Sequence, residues 1–356
     1  MPQGRIVVVG AGLAGSLLAL ALVRRGLAVT LAGPPVGFTA TGLSYAGMLG
    51  CGPARHWRRL EARHGPLGWC RAGLVLHGWP APLDAAPLAL QALLTRPLPF
   101  SRVDVVALNG RLPQALAQAG VERRPQPVRS LAAGATGWRL HLADGAHLAA
   151  EEVVLAAGAG CRALWPDLPG RFRHSWAGIL LLERNPGGNV WLEQARRGRI
   201  VQPRAWRRPG LEREAEDVRE ERWIVDAGVA PWGEGVLLGQ ITRIGPEPLA
   251  WPPPDAARME GLLRQGLGRL DPGLARIEAP YHQVPVSFCT DGQPLVGPVQ
   301  GQQGLWTFAG FSGAFAAVPP WAERLAERLV QKRNSPPRPS SSAGEVADAE
   351  AQSASQ

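Results

Sequence analysis

A glycine motif near the N-terminus constrains the fold of this chain more than any other feature. Gly10, Gly12 and Gly15 follow a short β-branched run at 5–9 and open an apolar run of helical character at 13–25. Gly10 allows a tight turn, Gly12 lets the backbone approach a pyrophosphate, and Gly15 lets helix and strand pack closely. Amides and the dipole at the helix start would then bind the phosphates. The motif therefore predicts a strand–turn–helix unit that binds a dinucleotide.

The same segment has a second interpretation, which the glycines disfavour. Residues 6–23 are mostly apolar, with Arg5 before them and Arg24 and Arg25 after them. Such a pattern can mark a signal peptide or a short membrane-spanning helix. Three glycines interrupt the run, which is about as short as a spanning helix can be. We therefore expect a buried strand and helix, no membrane span and a cytoplasmic protein.

Length and composition predict a globular protein with more than one domain. The 356 residues correspond to about two domains at roughly 150 residues each. Hydrophobic residues make up 46% and charged residues 19%, so a sizeable core can form. A wholly disordered chain, a coiled coil and a disulfide-stapled miniprotein are excluded. The 44 glycines and 34 prolines favour a compact fold rich in turns.

The charge of the chain is basic, but its basic residues form no binding stripe. The formal net charge is +9, and Lys332 is the single lysine among 38 basic residues. The arginines are scattered, several of them in pairs, without a long run or interleaved aromatic residues. We therefore expect solvated arginines and no nucleic-acid partner.

Cysteine spacing predicts neither a zinc site nor a redox pair. The four cysteines are too far apart in the sequence for a C-x-x-C motif: Cys51, Cys70, Cys161 and Cys289. We expect reduced thiols, most of them packed, and no bound metal.

The hydrophobic pattern predicts two blocks of secondary structure. In the first block, strands are predicted at 5–9, 28–32, 73–77 and 304–309, and a hairpin of 137–142 with 147–156 turns at Asp144-Gly145. The second block begins near His174 and predicts an antiparallel sheet from strands at 176–183, 189–194, 199–206, 222–226, 235–242 and 279–287. Helices are predicted at 54–64, 112–119, 255–270 and 312–331. The charge run 212–221 predicts a solvated loop or exposed helix, 80–99 an irregular segment, and 334–356 a disordered tail.

Further motifs downstream make the order of the chain recognisable. A buried strand ends in small residues at 152–160 (EVVLAAGAG), and a turn motif at 290–298 (TDGQPLVGP) precedes GLWTFAGFSG at 304–313. With the N-terminal motif and the AGML at 46–49, these segments resemble the FAD-dependent D-amino-acid oxidase superfamily. Within it, they are similar to the glycine oxidase and sarcosine oxidase branch. The resemblance spans nearly the whole predicted folded part.

The resemblance implies an α/β fold in which a discontinuous Rossmann-type FAD-binding domain joins a mainly antiparallel β substrate domain. We predict the FAD-binding domain at 1–172 and 285–333, with an irregular insert near 80–100, and the substrate domain at 173–284. FAD is predicted to bind non-covalently, because Cys289 does not fall where some family members attach it. The residues implied to contact FAD are Gly10, Gly12, Gly15, Thr41, Ser44, Ala46, Gly47, Met48, Gly158, Gly310, Ser312 and Gly313.

The resemblance also implies a reaction. In the family, a hydride passes from the carbon beside a neutral amine to flavin N5, and O2 or another acceptor reoxidises the flavin. The predicted substrate is therefore a small amine or amino acid. A related flavoenzyme acting on a larger substrate, such as a modified tRNA base, and a non-catalytic flavin-binding protein are the alternatives. The oligomeric state is left open.

Three positions depart from the expected pattern. The arginine that clamps the substrate carboxylate in the family would fall at Val286, and a flavin-side glycine at Phe315. The acid that binds the adenosine ribose would fall at Gly33, about 20 residues after the glycine motif. An amine without a carboxylate, or a carboxylate held by another arginine such as Arg204, would both be compatible with the loss of the clamp.

The candidates for substrate contact lie on the strand before the clamp position. One of Tyr281 and His282 faces the substrate, or both are structural residues. Met48 either touches the flavin or packs in the core. The family strand that carries a tyrosine and a Pro-Arg pair aligns with 199–204 or with 222–227, and neither match is complete.

Overall fold

The computed structural model describes residues 5–34, 37, 39–78, 98–205 and 207–334. Its strands are β1 Ile6–Val9, β2 Val29–Ala32, β3 Gly47–Leu49, β4 Trp69–Arg71, β5 Gly73–His77, β6 Phe100–Val103, β7 Glu122–Arg124, β8 Val128–Gly134, β9 Gly137–Leu142, β10 His147–Ala150, β11 Glu152–Leu155, β12 Phe172–Leu182, β13 Arg199–Pro203, β14 Arg222–Trp232, β15 Gly235–Ile244, β16 Tyr281–Cys289, β17 Leu295–Pro298 and β18 Leu305–Ala309. Its helices are α1 Leu13–Val23, α2 Cys51–His64, α3 Val105–Gln118, α4 Cys161–Leu164, α5 Val190–Arg196, α6 Arg208–Arg213, α7 Ala256–Leu270, α8 Pro272–Ala275 and α9 Ala314–Asn334.

The first sheet has six strands in the order β17-β18-β11-β1-β2-β7. All its pairings are parallel except that of β17 with β18. Helix α1 is buried along nearly its whole length and packs between this sheet and α9. The antiparallel strands β8, β9 and β10 cover the opposite face, with Trp138 and Leu140 in that second core. This arrangement confirms the predicted parallel sheet around the glycine motif.

The second sheet has six strands in the order β16-β12-β15-β14-β13-β5. It is antiparallel apart from the pairing of β13 with β5, which confirms the predicted mainly antiparallel sheet. Helix α7 covers one face and buries Met259, Leu263 and Leu267 against it. The opposite face carries a smaller apolar cluster that meets the chain segment 39–48.

Two strands tie the sheets together. Strand β5 comes from the N-terminal part of the chain but pairs with β13 of the second sheet. Strand β16 leaves the second sheet towards the first, and at its end Cys289 lies across from Phe172 of β12. The predicted boundaries at 172 and 285 stay predictions.

Two predictions for individual segments are wrong, and a third holds for most of its segment. Residues 189–194 form the start of α5 rather than a strand, because the Asn189 side chain caps the helix by accepting from the Trp191 amide at 2.8 Å. The strand predicted at 147–156 breaks at Glu151, and its halves join different sheets. The charged residues of 212–221 are exposed as predicted, except that Glu212 is buried. Its carboxylate accepts from Arg208 at 2.7 Å and from the Ser312 hydroxyl at 3.2 Å.

The segments predicted to be irregular or disordered lie largely or wholly outside the described residues, at 79–97 and 335–356. Among the described helices, none is both long enough and apolar enough to cross a membrane.

Candidate cofactor site

The turn between β1 and α1 depends on glycine at two of its three motif positions. Gly10 has φ +111°, and a Cβ there would lie 2.5 Å from the Ala156 carbonyl oxygen of the neighbouring strand. A Cβ on Gly15 would lie 1.9 Å from the Gly10 carbonyl oxygen. The tight turn and the close packing of helix on strand therefore exclude side chains at both positions.

Gly12 differs from the other two because the protein's own packing leaves room beside it. Its φ of −74° suits any residue, and the nearest atom to an added Cβ is the Thr41 hydroxyl oxygen at 3.8 Å. The N-cap residue Gly12 has no side chain to cap the helix and the first turn carries no acid, so the positive end of α1 is open to an anion. The Leu13 amide lies 3.3 Å from the Thr41 hydroxyl, which brings Thr41 to the motif. This cradle fits the pyrophosphate of a dinucleotide.

The missing acid at position 33 has a steric explanation. Gly33 ends the second strand with φ +146°, and a Cβ there would lie 3.0 Å from the Ala11 amide nitrogen. Its own amide donates to the Arg124 carbonyl at 2.8 Å, which fixes this backbone. A side chain at 33 would press on the glycine turn itself, so an adenosine ribose must be bound by other groups.

Segment 39–48 connects this turn to the second sheet. The Ser44 hydroxyl accepts from the Ala46 amide at 3.0 Å, and Ala46 has a left-handed φ of +51°. A Cβ on Gly47 would meet Phe100 at 2.8 Å and Ile200 at 3.0 Å. The Met48 side chain is buried in the first core, so the structure places it among packing residues.

A second wall of the site comes from the motifs at 152–160 and 304–313. Gly158 lies close to Ser287 of β16, and a Cβ on Gly310 would lie 2.6 Å from the Cys289 sulfur. Gly313 has open space around its Cα and immediately precedes α9. The chain thus brings the start of a 21-residue helix to the same side as the ends of β11 and β18.

Phe315 belongs to the core and not to this wall. Its ring stacks on Trp57 at 6.1 Å, and its carbonyl accepts from the Trp57 indole at 2.7 Å. The flavin-side glycine of the family is therefore replaced by a residue that anchors α2 to α9.

The two neighbouring candidates on β16 point to opposite faces of the second sheet. The Tyr281 side chain packs with the core under α7, and its hydroxyl lies 3.2 Å from the Gln283 amide oxygen. His282 pairs with Ile179 of β12, on the face turned towards segment 39–48, and partial burial lowers the pKa of its imidazole. Arg204 is exposed just after β13, where its amide donates to the His77 carbonyl. The structure does not bring these three side chains together.

The clamp position lies in an apolar environment. Val286 packs against the cluster formed by Leu43, Ile179, Leu181, Leu237 and Val284. Its partner across the sheet is Ser175, whose hydroxyl is buried without a hydrogen bond. This face of the sheet therefore presents no cation at the position where the family has one.

A buried acid that the sequence patterns did not single out lies further along the second sheet. Asp226 of β14 is 5% exposed, and its carboxylate lies beside the backbone amides of Arg207 and Arg208. Burial raises the pKa of this carboxyl, whereas the charges and amides of Arg207 and Arg208 lower it. The one available signal was an acid inside the otherwise apolar strand sequence WIVDAGVAPW.

The buried cysteines are poorly suited to nucleophilic or ligand roles. Burial raises the pKa of the Cys161 thiol to about 12 and that of Cys289 to about 11, so both are protonated at neutral pH. Among the described residues, no three His, Cys, Asp or Glu side chains form a group that could hold a metal ion.

Comparison with known proteins identifies one family. Residues 101–328 match the family model DAO, described as FAD dependent oxidoreductase. No curated protein matches the chain by sequence.

Solved structures share the fold at low sequence identity. Glycine oxidase from Geobacillus kaustophilus is 17% identical, with a TM-score of 0.64, over 93% of this chain and 96% of that chain. Iminodiacetate oxidase from Chelativorans sp. BNC1 is 19% identical, with a TM-score of 0.63, over 92% and 95%. L-proline dehydrogenase from P. horikoshii is 14% identical, with a TM-score of 0.63, over 93% and 94%.

Proposed function

Because this chain belongs to the DAO family of FAD-dependent oxidoreductases, we propose that it oxidises the carbon–nitrogen bond of a small amine or amino acid. The family match confirms the resemblance inferred from the motifs, the enzyme class and FAD as the cofactor. The substrate and the electron acceptor belong to the proposal.

One observation carries the proposal. The apolar face of the second sheet, with Ile179, Leu237 and Val284, packs against Leu43 and Tyr45 of segment 39–48. This segment also reaches the glycine turn through Thr41. The sheet therefore closes over the region predicted to run beside the flavin, and its apolar side chains would keep water away from the reacting carbon.

The residues that would hold FAD are those of the glycine turn and those at the start of α9. Gly10, Gly12 and Gly15 leave the start of α1 open to the pyrophosphate. The backbone at Gly310–Gly313 and the start of α9 would face the pyrimidine edge, where a helix N-terminus stabilises negative charge. When bound, FAD supplies the redox chemistry by accepting a hydride. The protein's part is to orient the amine, exclude water and stabilise the charge that develops.

The first experiment is a visible spectrum of the purified protein, followed by acid precipitation. We expect a yellow protein whose flavin is released into the supernatant, since both buried thiols are protonated and packed. Anaerobic addition of single amines and amino acids should then bleach the flavin, and air should restore it with release of hydrogen peroxide.

Two results would contradict the proposal. One is a folded protein that cannot be loaded with FAD. The other is a protein with stoichiometric FAD that dithionite reduces but no amine or amino acid of the panel does.

A further inference from the structure

The charged segment 207–221 packs on the face of the second sheet that also meets segment 39–48. Its apolar side chains cluster with residues at the ends of β15 and β16, the members being Leu211, Ala215, Val218, Ile244 and Phe288. Side chains two positions apart on a strand point to the same face, so Phe288 shares its face with Val286, which packs in the cluster beside segment 39–48. Segment 207–221 therefore lies next to the clamp position, on the side of the sheet proposed to face the flavin.

Glu212 of α6 joins this segment to the loop 310–313. Its side chain is buried, with 6% of the residue exposed, and both carboxylate oxygens accept hydrogen bonds. One oxygen accepts from the Arg208 guanidinium at 2.7 Å, and the other accepts from the Ser312 hydroxyl at 3.2 Å. A buried carboxylate needs such compensation by a cation and a further donor. The contact holds the start of α9 against a segment that belongs to the second sheet.

The hydrogen bond to Glu212 determines what the Ser312 hydroxyl can offer a ligand. Ser312 is exposed and lies between Gly310 and Gly313, immediately before α9. A hydroxyl group has one proton, and Ser312 donates it to Glu212. The oxygen of Ser312 is therefore left as an acceptor. On the pyrimidine edge of a flavin, the N3–H group is the donor that such an oxygen suits.

A second acid of the same segment makes a similar contact away from this loop. Glu216 accepts from the Thr290 hydroxyl at 3.1 Å, at the turn that follows β16. This contact docks segment 207–221 on the C-terminal motifs without involving residues 310–313. Glu216 thus provides a comparison in which docking is disturbed and Ser312 is not.

We infer that Glu212 is a positioning residue of the FAD site, which fixes the Ser312 hydroxyl as a hydrogen-bond acceptor for the N3–H group of the flavin. This inference rests on the proposed function, because it requires FAD beside the loop 310–313. Glu212 itself touches no part of the cofactor and acts through Ser312. The orientation of the flavin then depends on a segment of the second sheet.

The test measures the Kd for FAD of the full-length chain by flavin fluorescence. In Glu212→Gln the amide oxygen should keep Arg208, so its NH2 group faces Ser312 and the serine proton is no longer held. We expect this variant and Ser312→Ala each to raise the Kd about tenfold. The double variant should bind no more weakly than either single one, because both changes remove the same interaction.

The matched control is Glu216→Gln, which makes the same change at the contact with Thr290. It should raise the Kd for FAD less than threefold. The inference is overturned if Glu212→Gln binds FAD as tightly as the wild-type protein, if the two losses multiply in the double variant, or if Glu216→Gln weakens FAD binding as much as Glu212→Gln.

A further variant guards against a failure of Glu212→Gln to fold, since this change leaves Arg208 without its acid. Replacing Arg208 and Glu212 together by Gln removes both charges and avoids an unpaired buried cation. This protein should fold and show the same tenfold loss of FAD affinity. Wild-type affinity in it would overturn the inference.

The reduction potential of the flavin separates positioning from packing. Glu212→Gln removes a negative charge near the pyrimidine edge and frees the serine proton, and both changes favour the reduced, anionic flavin. At a fixed potential, we expect the ratio of reduced to oxidised flavin to rise at least tenfold, which is about 30 mV for two electrons. Glu216→Gln should show no such shift. An unchanged potential in Glu212→Gln would indicate a packing role and overturn the inference.

Flavin reduction by amines, measured on the same samples, distinguishes the two proposals. If amines bleach the flavin but Glu212→Gln binds FAD with wild-type affinity and potential, the inference fails and the proposed function stands. If FAD binding and potential depend on Glu212 as expected but no amine or amino acid reduces the flavin, the inference stands and the proposed function fails.

Discussion

Gly12 and Gly15 lie in one turn, yet a methyl group would meet different surroundings at each. At Gly15 it would collide with the backbone of the turn, whereas at Gly12 it would enter space that no protein atom occupies within 3.8 Å. Glycine at 15 is therefore required by the fold. No contact inside the protein requires glycine at 12, so a ligand bound beside it explains the residue. The different effects of a methyl group at the two positions can be measured.

We expect Gly12→Ala to fold with a wild-type Tm but to lose at least tenfold in FAD affinity, because its methyl group occupies the place of the phosphates. Flavin stoichiometry after gel filtration and thermal melting measure the two effects. Gly110→Ala is the control, because a Cβ at this helical position meets nothing within 4 Å and should stabilise the protein by about 0.5–1 kcal/mol. Normal FAD binding by Gly12→Ala would contradict the assignment of the cradle.

His174 gives the protein a predictable sensitivity to acid. Burial, together with the charges of Arg173, Arg243 and Arg162, lowers the pKa of its imidazole to about 4, and Glu247 only partly opposes them. Between pH 6.5 and pH 4 the unfolded chain binds a proton here that the folded chain does not, so stability falls as the pH falls.

This group should contribute a loss of about 2 kcal/mol between pH 7 and pH 5. Urea unfolding at both pH values should show a loss that is smaller by about this amount in His174→Gln than in the wild-type protein. Replacement of the exposed His147 by Gln is the control and should leave the pH dependence unchanged. An identical pH dependence in wild-type protein and His174→Gln would refute the assignment.

At the scale of secondary-structure elements, one buried arginine fixes the connection between the sheets. The guanidinium of Arg162, in α4, donates to the carbonyls of Pro166, Leu168, Pro169 and Phe172 at 2.6–3.1 Å. These carbonyls belong to the loop that leads from the first sheet into β12. The charge is therefore held by backbone oxygens and not by an acid.

We expect Arg162→Lys to destabilise the protein by roughly 2–4 kcal/mol, because a single ammonium group cannot reach four carbonyls arranged around a planar fork. Denaturant unfolding measures the loss. Arg139→Lys, at an exposed position of β9, is the control and should change stability by less than about 0.5 kcal/mol. An equally small effect at Arg162 would show that the loop does not depend on this side chain.

Elements whose pattern is local could be predicted from the sequence. The glycine turn, the β9–β10 hairpin at Asp144-Gly145 and helix α7 follow from turn chemistry and periodicity alone. The segment at 189–194 was misjudged because its β-forming residues outweighed the Asn189 cap. The break at Glu151 depends on which distant strands accept each half, and no local pattern carries that information.

The residues of the candidate site likewise fall into those that the sequence could predict and those that it could not. The backbone positions at the glycine motifs could be predicted, because glycine itself marks the positions where no side chain fits. The roles of Tyr281 and His282 could not, since adjacent residues of a strand face opposite sides and only the packing of α7 distinguishes them. The burial of Asp226 could not be predicted, because it depends on tertiary packing that the local pattern of the strand does not show.

At the scale of the whole molecule, the two sheets are not independent halves of the chain. Strand β5 crosses into the second sheet, and β16 crosses back towards the first. Contacts between the sheets are thus built into the strand order. The wall at Gly310 and the second sheet belong to one connected framework, in which the position of the second sheet over segment 39–48 is set by chain connectivity as well as by packing.

Helix α1 is apolar on all sides, and it is completed within the first 23 residues, whereas its cover α9 begins at residue 314. During synthesis, residues 24–313 must therefore follow α1 before α9 can bury this surface. Until then the nascent protein exposes an apolar helix, and until residue 155 is made β1 also lacks its partner β11. Newly made chains should need a holding chaperone, and any chain released before residue 314 should be aggregation-prone rather than partly active.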